Sequence, residues 1–225
     1  MRITTGTNTP EGVLVRIKDK LCLTIGLDVS RIKLLVDRYV IRTVSSDGSK
    51  SHFTKVNMFN DLTRDRMTIK VFFKFLRVIL VKRVILKVGV TTVDDVDYNV
   101  TDELSLSQLE EAANDKGKGT NTPEGVLVRI KDKLCSTMEL DIDRIKLLVD
   151  RFVTQSLNVT GSKAHFTKTN TFNDLTRKRM TIKVFFKFLR IVLVQKVTIS
   201  ITVTTVDDKE FTVSETMTIS QARVG

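Results

Sequence analysis

Few residues of the chain have the type and spacing that catalysis requires. His52 and His165 occupy equivalent places in SHFTK and AHFTK, and a repeated histidine suggests a metal ligand or a general base. Neither histidine has a second histidine, a reactive cysteine or a carboxylate cluster at the spacing of a metal site or a catalytic triad. The sequence therefore predicts loop histidines in a protein that is not an enzyme and holds no metal or cofactor.

Paired aspartates and two cysteines are the other candidates for chemistry. Asp94–Asp95 and Asp207–Asp208 stand where a hairpin must turn, and aspartate is a common turn residue. Cys22 and Cys135 lie within apolar helical patterns, which is typical of small core residues in a reducing cell. The chain also lacks a phosphate-binding glycine loop and a nucleophile elbow. These residues therefore predict turns and core packing.

The net charge points to a polyanionic partner. The chain carries 37 Lys and Arg against 26 Asp and Glu, a formal charge of +11. Such a balance favours binding to nucleic acid or to an anionic surface. No apolar stretch approaches the roughly 18 uninterrupted residues of a membrane span. We expect a soluble, cytoplasmic protein that binds nucleic acid and not a membrane.

The two halves of the sequence repeat each other at an offset of 113 residues. Residues 6–22 equal residues 119–135, and RMTIKVFFKFLR occurs at both 66–77 and 179–190. Two copies are too few for a solenoid. We predict a first unit at 1–106, a linker at 107–119 and a second unit at 120–225. The units would pack as an intramolecular pseudo-dimer in a monomer, although a higher oligomer is compatible with the pattern.

The hydrophobic period changes along each unit from helix to strand. Thr9 and Pro10 are suited to begin a helix, and a second helix follows over 29–40. After a polar loop (45–52) and a short helix at 59–62, Thr68 caps an apolar helix over 69–80. The period then falls to two on both sides of TTVDD, which predicts a β-hairpin. The fold class expected is α+β, with helices before a C-terminal hairpin in each unit.

The apolar helix over 69–80 leaves only a narrow stripe of its circumference polar. We expect its second apolar face, centred on Phe75, to meet Phe188 of the other unit; the alternative is that this face meets only the hairpin. Three cations spaced at i, i+4 and i+7 can follow a phosphate backbone, although exposed cations also simply keep a helix soluble. The predicted phosphate contacts are Lys70, Lys74 and Arg77, their equivalents Lys183, Lys187 and Arg190, and the preceding Arg64, Arg66, Arg177 and Arg179.

The segment DKLCLTIGLDVSRIKLLVDR has the residue types of a DNA-reading helix-turn-helix. Cys22 is small, Gly26 follows four residues later, and Ile32 and Leu35 are placed to lock the second helix. Over residues 13–90 the chain resembles the helix-turn-helix family of phage-repressor-like regulators. The resemblance implies that the second helix reads DNA. It would place Ser30, Arg31 and Lys33 toward base edges, with Arg144 and Lys146 as equivalents, and Lys18 and Lys20 toward phosphates.

The second copy departs from this pattern at two positions. Glu139 replaces Gly26, and a left-handed backbone costs a residue with a β-carbon about 1 kcal/mol. Asp143 replaces Ser30 and brings a negative charge to the predicted reading surface. Either the second copy binds DNA differently, or neither copy is a helix-turn-helix.

The sequence as a whole predicts a non-catalytic nucleic-acid-binding protein. Double-stranded DNA is favoured, as the target of a transcription regulator or an architectural protein. Single-stranded DNA or RNA ranks second, because Phe53 and Phe166 are the only plausible stacking platforms. The alternatives are an adaptor or inhibitor that binds an acidic protein, and a structural subunit.

Overall fold

The computed structural model describes residues 8–43, 48–106, 122–156 and 161–219. Within these ranges each half of the chain contributes four helices followed by two strands, which is the expected α+β class. The first half contains α1 (Pro10–Ile25), α2 (Val29–Thr43), α3 (Gly48–Leu62), α4 (Ile69–Val78), β1 (Val81–Thr92) and β2 (Asp97–Ser105). The second half contains α5 (Pro123–Thr137), α6 (Ile142–Ser156), α7 (Gly161–Thr176), α8 (Ile182–Ile191), β3 (Val194–Thr205) and β4 (Glu210–Thr218).

Threonine caps fix the starts of α1 and α4, as the sequence predicts. The Thr9 hydroxyl accepts a hydrogen bond from the Gly12 N–H at 3.0 Å, and Pro10 takes the first helical position. The Thr68 hydroxyl accepts from the Val71 N–H at 3.1 Å. Each cap satisfies a backbone donor that the helix itself leaves open, which is worth about 1 kcal/mol.

The third and fourth helices differ from the sequence prediction at one end each. Helix α3 begins at Gly48, so part of the predicted polar loop is helical. It packs against α2 and α4, and this tertiary contact outweighs the weak helix propensity of its serine and asparagine residues. Helix α4 ends at Val78 because Leu80 adopts a left-handed backbone, φ 65°, at the entry to β1.

The four strands form one antiparallel sheet in the order β2-β1-β3-β4. The two hairpins meet where β1 pairs with β3, and Lys87 stands opposite Ser200, the position 113 residues later. Each hairpin turn also bonds to the other half: the Val93 N–H donates to the Leu193 carbonyl, and the Val206 N–H to the Leu80 carbonyl, both at 2.9 Å. The halves therefore share one hydrogen-bonded sheet.

Alternation along the strands gives the sheet one apolar and one polar face. Val84, Leu86 and Val88 are buried on the face that packs against the helices, while Lys87 and Asn99 are exposed on the other. The buried apolar side chains of both halves form one continuous core. The open face therefore presents polar side chains to solvent.

The first helix of each half packs on the last strand of the other half. Helix α1 lies against β4, and α5 lies against β2. Arg16 and Lys20 of α1 reach Glu215 of β4, with nitrogen–oxygen distances of 2.8 and 2.5 Å. At the equivalent positions, Arg129 and Lys133 of α5 reach Asp102 of β2 at 3.0 and 3.1 Å. Two ion-pair clusters thus connect the halves.

The prediction that Phe75 and Phe188 join the halves is wrong. Phe75 lies beside Lys18, Cys22 and Phe59, all within its own half, and the hairpin alternative does not describe this contact either. The neighbouring face of α4, which includes Phe72, approaches the other half instead. This face, the buried face of the sheet and the second-half residues Leu127, Ile182 and Phe185 together line a small gap of about 20 Å³. Helix periodicity located both faces of α4 but not their partners.

Candidate nucleic-acid interface

The turn between α1 and α2 has the backbone geometry that the helix-turn-helix interpretation requires. Gly26 adopts φ 83°, and its N–H donates to the Cys22 carbonyl at 2.9 Å. No side chain or backbone atom stands within 4 Å of the place where a Gly26 β-carbon would lie. Glycine is therefore favoured here by backbone conformation and not by lack of space.

The second half makes the same turn without glycine. Glu139 adopts φ 58°, and the Leu140 N–H donates to the Cys135 carbonyl at 2.8 Å, as Leu27 does to Cys22. The departure at Glu139 therefore does not abolish the turn. The left-handed conformation leaves Glu139 with a backbone penalty of about 1 kcal/mol that Gly26 avoids.

The amino-terminal turn of α2 exposes the residues assigned to base edges. Ser30, Arg31 and Lys33 are exposed, and the Arg31 N–H is capped by the Asp28 carboxylate at 2.8 Å. The Lys33 ammonium lies 5.2 Å from the centroid of the Phe59 ring. This cation–π contact orients Lys33 along the surface between α2 and α3.

The first turn of α6 repeats this arrangement with one opposite charge. Arg144 and Lys146 are exposed, and the Arg144 N–H is capped by Asp141 at 2.8 Å. The Lys146 ammonium lies 5.4 Å from the Phe172 ring centroid. Asp143 is also exposed, so the predicted reading surface of the second half carries an acid where that of the first half carries Ser30.

The cationic stripe on α4 is less exposed than its spacing suggests. Lys70 is exposed, but Lys74 and Arg77 are half-buried, and the Arg77 guanidinium donates to the Leu106 carbonyl at 3.3 Å. Helix α8 repeats the gradient, with Lys183 exposed and Lys187 and Arg190 half-buried. The exposed cation of each stripe therefore lies at the amino-terminal end of its helix.

The arginines that precede α4 and α8 extend that surface. Arg64 and Arg177 are exposed, and each pairs with an acid three residues earlier, Asp61 at 3.5 Å and Asp174 at 3.3 Å. Arg66 and Arg179 are exposed, and neither makes an ion pair with any residue in the described ranges. Such exposed i, i+3 pairs contribute little to stability.

Lys18 does not lie where the family resemblance would place it, whereas Lys20 is exposed but already paired. Lys18 is 1% exposed; its ammonium donates to the Leu62 carbonyl at 3.0 Å and pairs with Asp19 at 2.7 Å. A phosphate cannot reach this group, so the assignment of Lys18 to phosphate contact is wrong. Lys20 is exposed, but its ammonium pairs with the Glu215 carboxylate and donates a hydrogen bond to the Ser214 carbonyl at 2.6 Å. The helical pattern of α1 gave no sign that Lys18 is covered by the end of α3 or that Lys20 lies against the last strand of the other half.

Sequence reasoning did not identify the acids that hold Arg16 and Arg129. Asp102 follows Val100 and precedes Leu104 at the inward positions of β2, and it is buried. An acid at an inward position of a strand requires a cationic partner, and this signal was present in the sequence. Burial alone would raise the pKa of Glu215, its equivalent. Hydrogen bonds from Lys20 and Arg16 outweigh burial and hold that pKa below its ordinary range.

The remaining candidates lie at turns, in or near the core, or outside the described residues. Asp95 and Asp208 both adopt φ 63° at the hairpin turns, as turn residues do. Cys22 is buried, whereas Cys135 is half-buried. The side chains of His52, His165, Phe53 and Phe166 lie outside the described residues, as does the predicted linker at 107–119. Among the described residues no group of three or more His, Cys, Asp or Glu side chains is placed to hold a metal ion.

Comparisons with known proteins assign the chain to no family. None of the helices in the described ranges has the length and apolar character to cross a membrane. No protein-family model, curated protein or solved structure matches the chain.

Proposed function

We propose that the chain is a non-catalytic nucleic-acid-binding protein that binds double-stranded DNA as a transcription regulator or an architectural protein. The observation that carries this proposal is a set of exposed cations that make no ion pair with any described residue and that recur in both halves. They are Arg31, Arg66 and Lys70 in the first half, and Arg144, Arg179 and Lys183 in the second. Cations without acidic partners attract phosphates and release counterions on binding.

We further propose that the halves are copies of one unit, packed as an intramolecular pseudo-dimer. The constant offset of 113 residues supports this view, as does the pairing of Lys87 with Ser200 at the centre of the sheet. Two linked binding surfaces raise affinity through effective concentration if both reach one duplex. In this arrangement α2 and α6 would be the reading helices, and the amino-terminal ends of α4 and α8 would hold phosphates.

Neutralising the two helix-terminal lysines tests the proposal. Fluorescence anisotropy with a labelled random-sequence duplex would compare the unaltered chain with the double variant Lys70→Gln, Lys183→Gln across a series of salt concentrations. Each lost phosphate contact should reduce the slope of log K against log salt by about 1.

The matched control removes the same charge from the open face of the sheet. Lys87→Gln with Lys196→Gln changes two exposed lysines that make no ion pair with any described residue. This control should bind like the unaltered chain. Equal slopes for all three proteins would contradict the proposed surface, and loss of binding only in the control would move the interface to the sheet.

An adaptor or inhibitor that binds an acidic protein is the second candidate. It is favoured by apolar side chains that stay exposed beside the cations of α2 and α6: Leu34 and Leu147 are each 50% exposed, and Ile41 is 65% exposed. Exposed apolar groups among charges are typical of protein interfaces. Nuclease and protease treatment of co-purifying material separates the candidates, because a protein partner would survive nuclease alone.

A further inference from the structure

The outer strand β4 has one side that pairs with no other strand in the described residues. In the sheet order β2-β1-β3-β4, its only neighbour among those residues is β3. Along an antiparallel strand the backbone groups point alternately toward the neighbour and away from it. The Ser214 carbonyl accepts a hydrogen bond from the Lys20 ammonium at 2.6 Å, so it lies on the outward side. Because residues two positions apart share an orientation, the backbone groups of Thr212 and Thr216 also point outward.

The side chains of these three residues leave the outer edge of β4 unobstructed. All three are exposed, and each hydroxyl is held toward β3 by a hydrogen bond with the hydroxyl opposite. The pairs are Thr212 with Thr202 at 2.9 Å, Ser214 with Ser200 at 2.7 Å and Thr216 with Thr198 at 2.9 Å. Uncharged, β-branched residues are favourable in strands, and an exposed edge built from them is a template for a further strand.

Lys20 closes this edge at its centre. Its ammonium binds the Ser214 carbonyl and also the Glu215 carboxylate, 2.5 Å away, which anchors it there. A further strand would need the Ser214 carbonyl as the acceptor for one of its own N–H groups, so it could pair only after Lys20 withdraws. The Lys20 side chain is 48% exposed, and ion pairs this exposed contribute little to stability. The contact can therefore open without unfolding α1.

We propose that the outer edge of β4 is a pairing surface for the β4 edge of a second copy of this chain, and that Lys20 holds it closed in the monomer. Antiparallel pairing centred on Ser214 would place Thr212 of each copy opposite Thr216 of the other. Such a contact has two-fold symmetry and closes on itself, which yields a dimer and not a fibre. The backbone groups would supply the affinity, as in other cases of strand addition to a sheet edge. This surface is separate from the nucleic-acid proposal and does not depend on it.

The equivalent edge of β2 provides an internal comparison. Lys133 donates to the Thr101 carbonyl at 2.5 Å, as Lys20 does to Ser214. The exposed residues on the same face of β2 include the acids Asp97 and Glu103, whereas β4 has Thr212 and Thr216 beside Ser214. Charged side chains on an edge strand discourage pairing. We therefore expect β2 to remain unpaired even without its lysine.

Analytical ultracentrifugation of the full chain at several concentrations tests the proposal. The unaltered chain should stay monomeric. Lys20→Met removes the ammonium and keeps a side chain of similar reach, so its average mass should rise with concentration toward that of a dimer. Lys133→Met, the matched control at the equivalent position, should stay monomeric. A monomeric Lys20→Met, equal association of the two variants, or association of the unaltered chain as tight as that of Lys20→Met would overturn the proposal.

Two more variants separate edge pairing from general loss of stability. Thr216→Pro, added to Lys20→Met, removes an outward N–H that the second copy would bind and should restore the monomer, since proline is tolerated where an edge N–H faces solvent. Slower amide exchange at Ser214 in the Lys20→Met dimer answers the same question if the proline variant does not fold. Glu215→Gln weakens the same contact between α1 and β4 but keeps the Lys20 ammonium, so it should stay monomeric. A dimer that persists with proline or lacks amide protection, or equal association of Glu215→Gln, would contradict pairing through β4.

Discussion

Replacing Glu215 with glutamine should destabilise the protein by removing the ion pairs between α1 and β4. The Glu215 side chain is 13% exposed and is held by Arg16 at 2.8 Å and Lys20 at 2.5 Å. Glutamine keeps the shape of the side chain but removes its charge. The change therefore tests the electrostatic contact between the two halves with little effect on packing.

The expected loss of stability depends on how deeply each cationic partner of Glu215 is buried. A hydrogen bond to a charged group that is largely buried contributes about 1.5–3 kcal/mol, which applies to Arg16. Lys20 is about half-exposed, and such pairs contribute less than about 1 kcal/mol. Because glutamine can still accept a hydrogen bond, we expect Glu215→Gln to cost about 2 kcal/mol. For a chain of this size that lowers Tm by about 4–8 °C.

Urea denaturation in a double-mutant cycle would measure the contact. Arg16→Met and Glu215→Gln should show a coupling energy of about 1–2 kcal/mol. Asp102→Asn, at the equivalent position, should cost about as much as Glu215→Gln. Glu103→Gln is the matched control, since Glu103 pairs with Arg83 while both side chains are 51% exposed, and it should cost less than about 1 kcal/mol. Additive effects of the Arg16 and Glu215 variants would refute the packing of α1 on β4.

The same carboxylate predicts a pH dependence. Because the folded-state pKa of Glu215 lies below its unfolded value, its contribution is fully present above the unfolded pKa. It is lost as the pH falls through the folded pKa. Glu215→Gln should therefore flatten the acid limb of the stability curve, and an unchanged limb would contradict the assignment.

Further changes follow from backbone and core geometry. Gly26→Ala should lower the free energy of unfolding by about 1 kcal/mol, because φ is 83° while the surrounding space is open. Glu139→Gly should raise it by up to about the same amount, because glycine removes the backbone penalty at φ 58°. Urea denaturation measures both, and changes of the opposite sign would contradict the shared turn. Phe72→Ala should lower the free energy of unfolding by about 3–5 kcal/mol, measured by calorimetry, because Phe72 is fully buried. Phe211→Ala is the control and should lower it clearly less, because Phe211 is half-buried. Equal losses would argue against the placement of Phe72 in the core.

The sequence predicted the features of the fold that depend on local chemistry. Thr9 and Thr68 identified helix starts because a capping hydroxyl acts within three residues of its own position. The turn between β1 and β2 was predictable for the same reason. The long apolar helix was also found, because a period of 3.6 residues appears in the sequence itself.

Features that depend on contacts between distant residues could not be predicted in this way. Helix periodicity gives the direction of Phe75 and Phe72 but not which helix or strand each one meets. Lys18 lies on a helix with a mixed pattern, and its burial depends on the Leu62 carbonyl, 44 residues away. The pairing of Arg16 with Glu215 spans 199 residues and exists because α1 crosses to the hairpin of the other half. Asp102 was the one local signal of that crossing.

The salt dependence of duplex binding tests the central claim most directly. If the six exposed cations without ion pairs to described residues all contact phosphates, log K should fall against log salt with a slope of about −5, at roughly −0.9 per contact. The measurement needs only the full chain, a random-sequence duplex and a range of salt concentrations. A steep slope of this size is the predicted result. No binding at low salt, or binding with a slope shallower than about −1, would contradict the account.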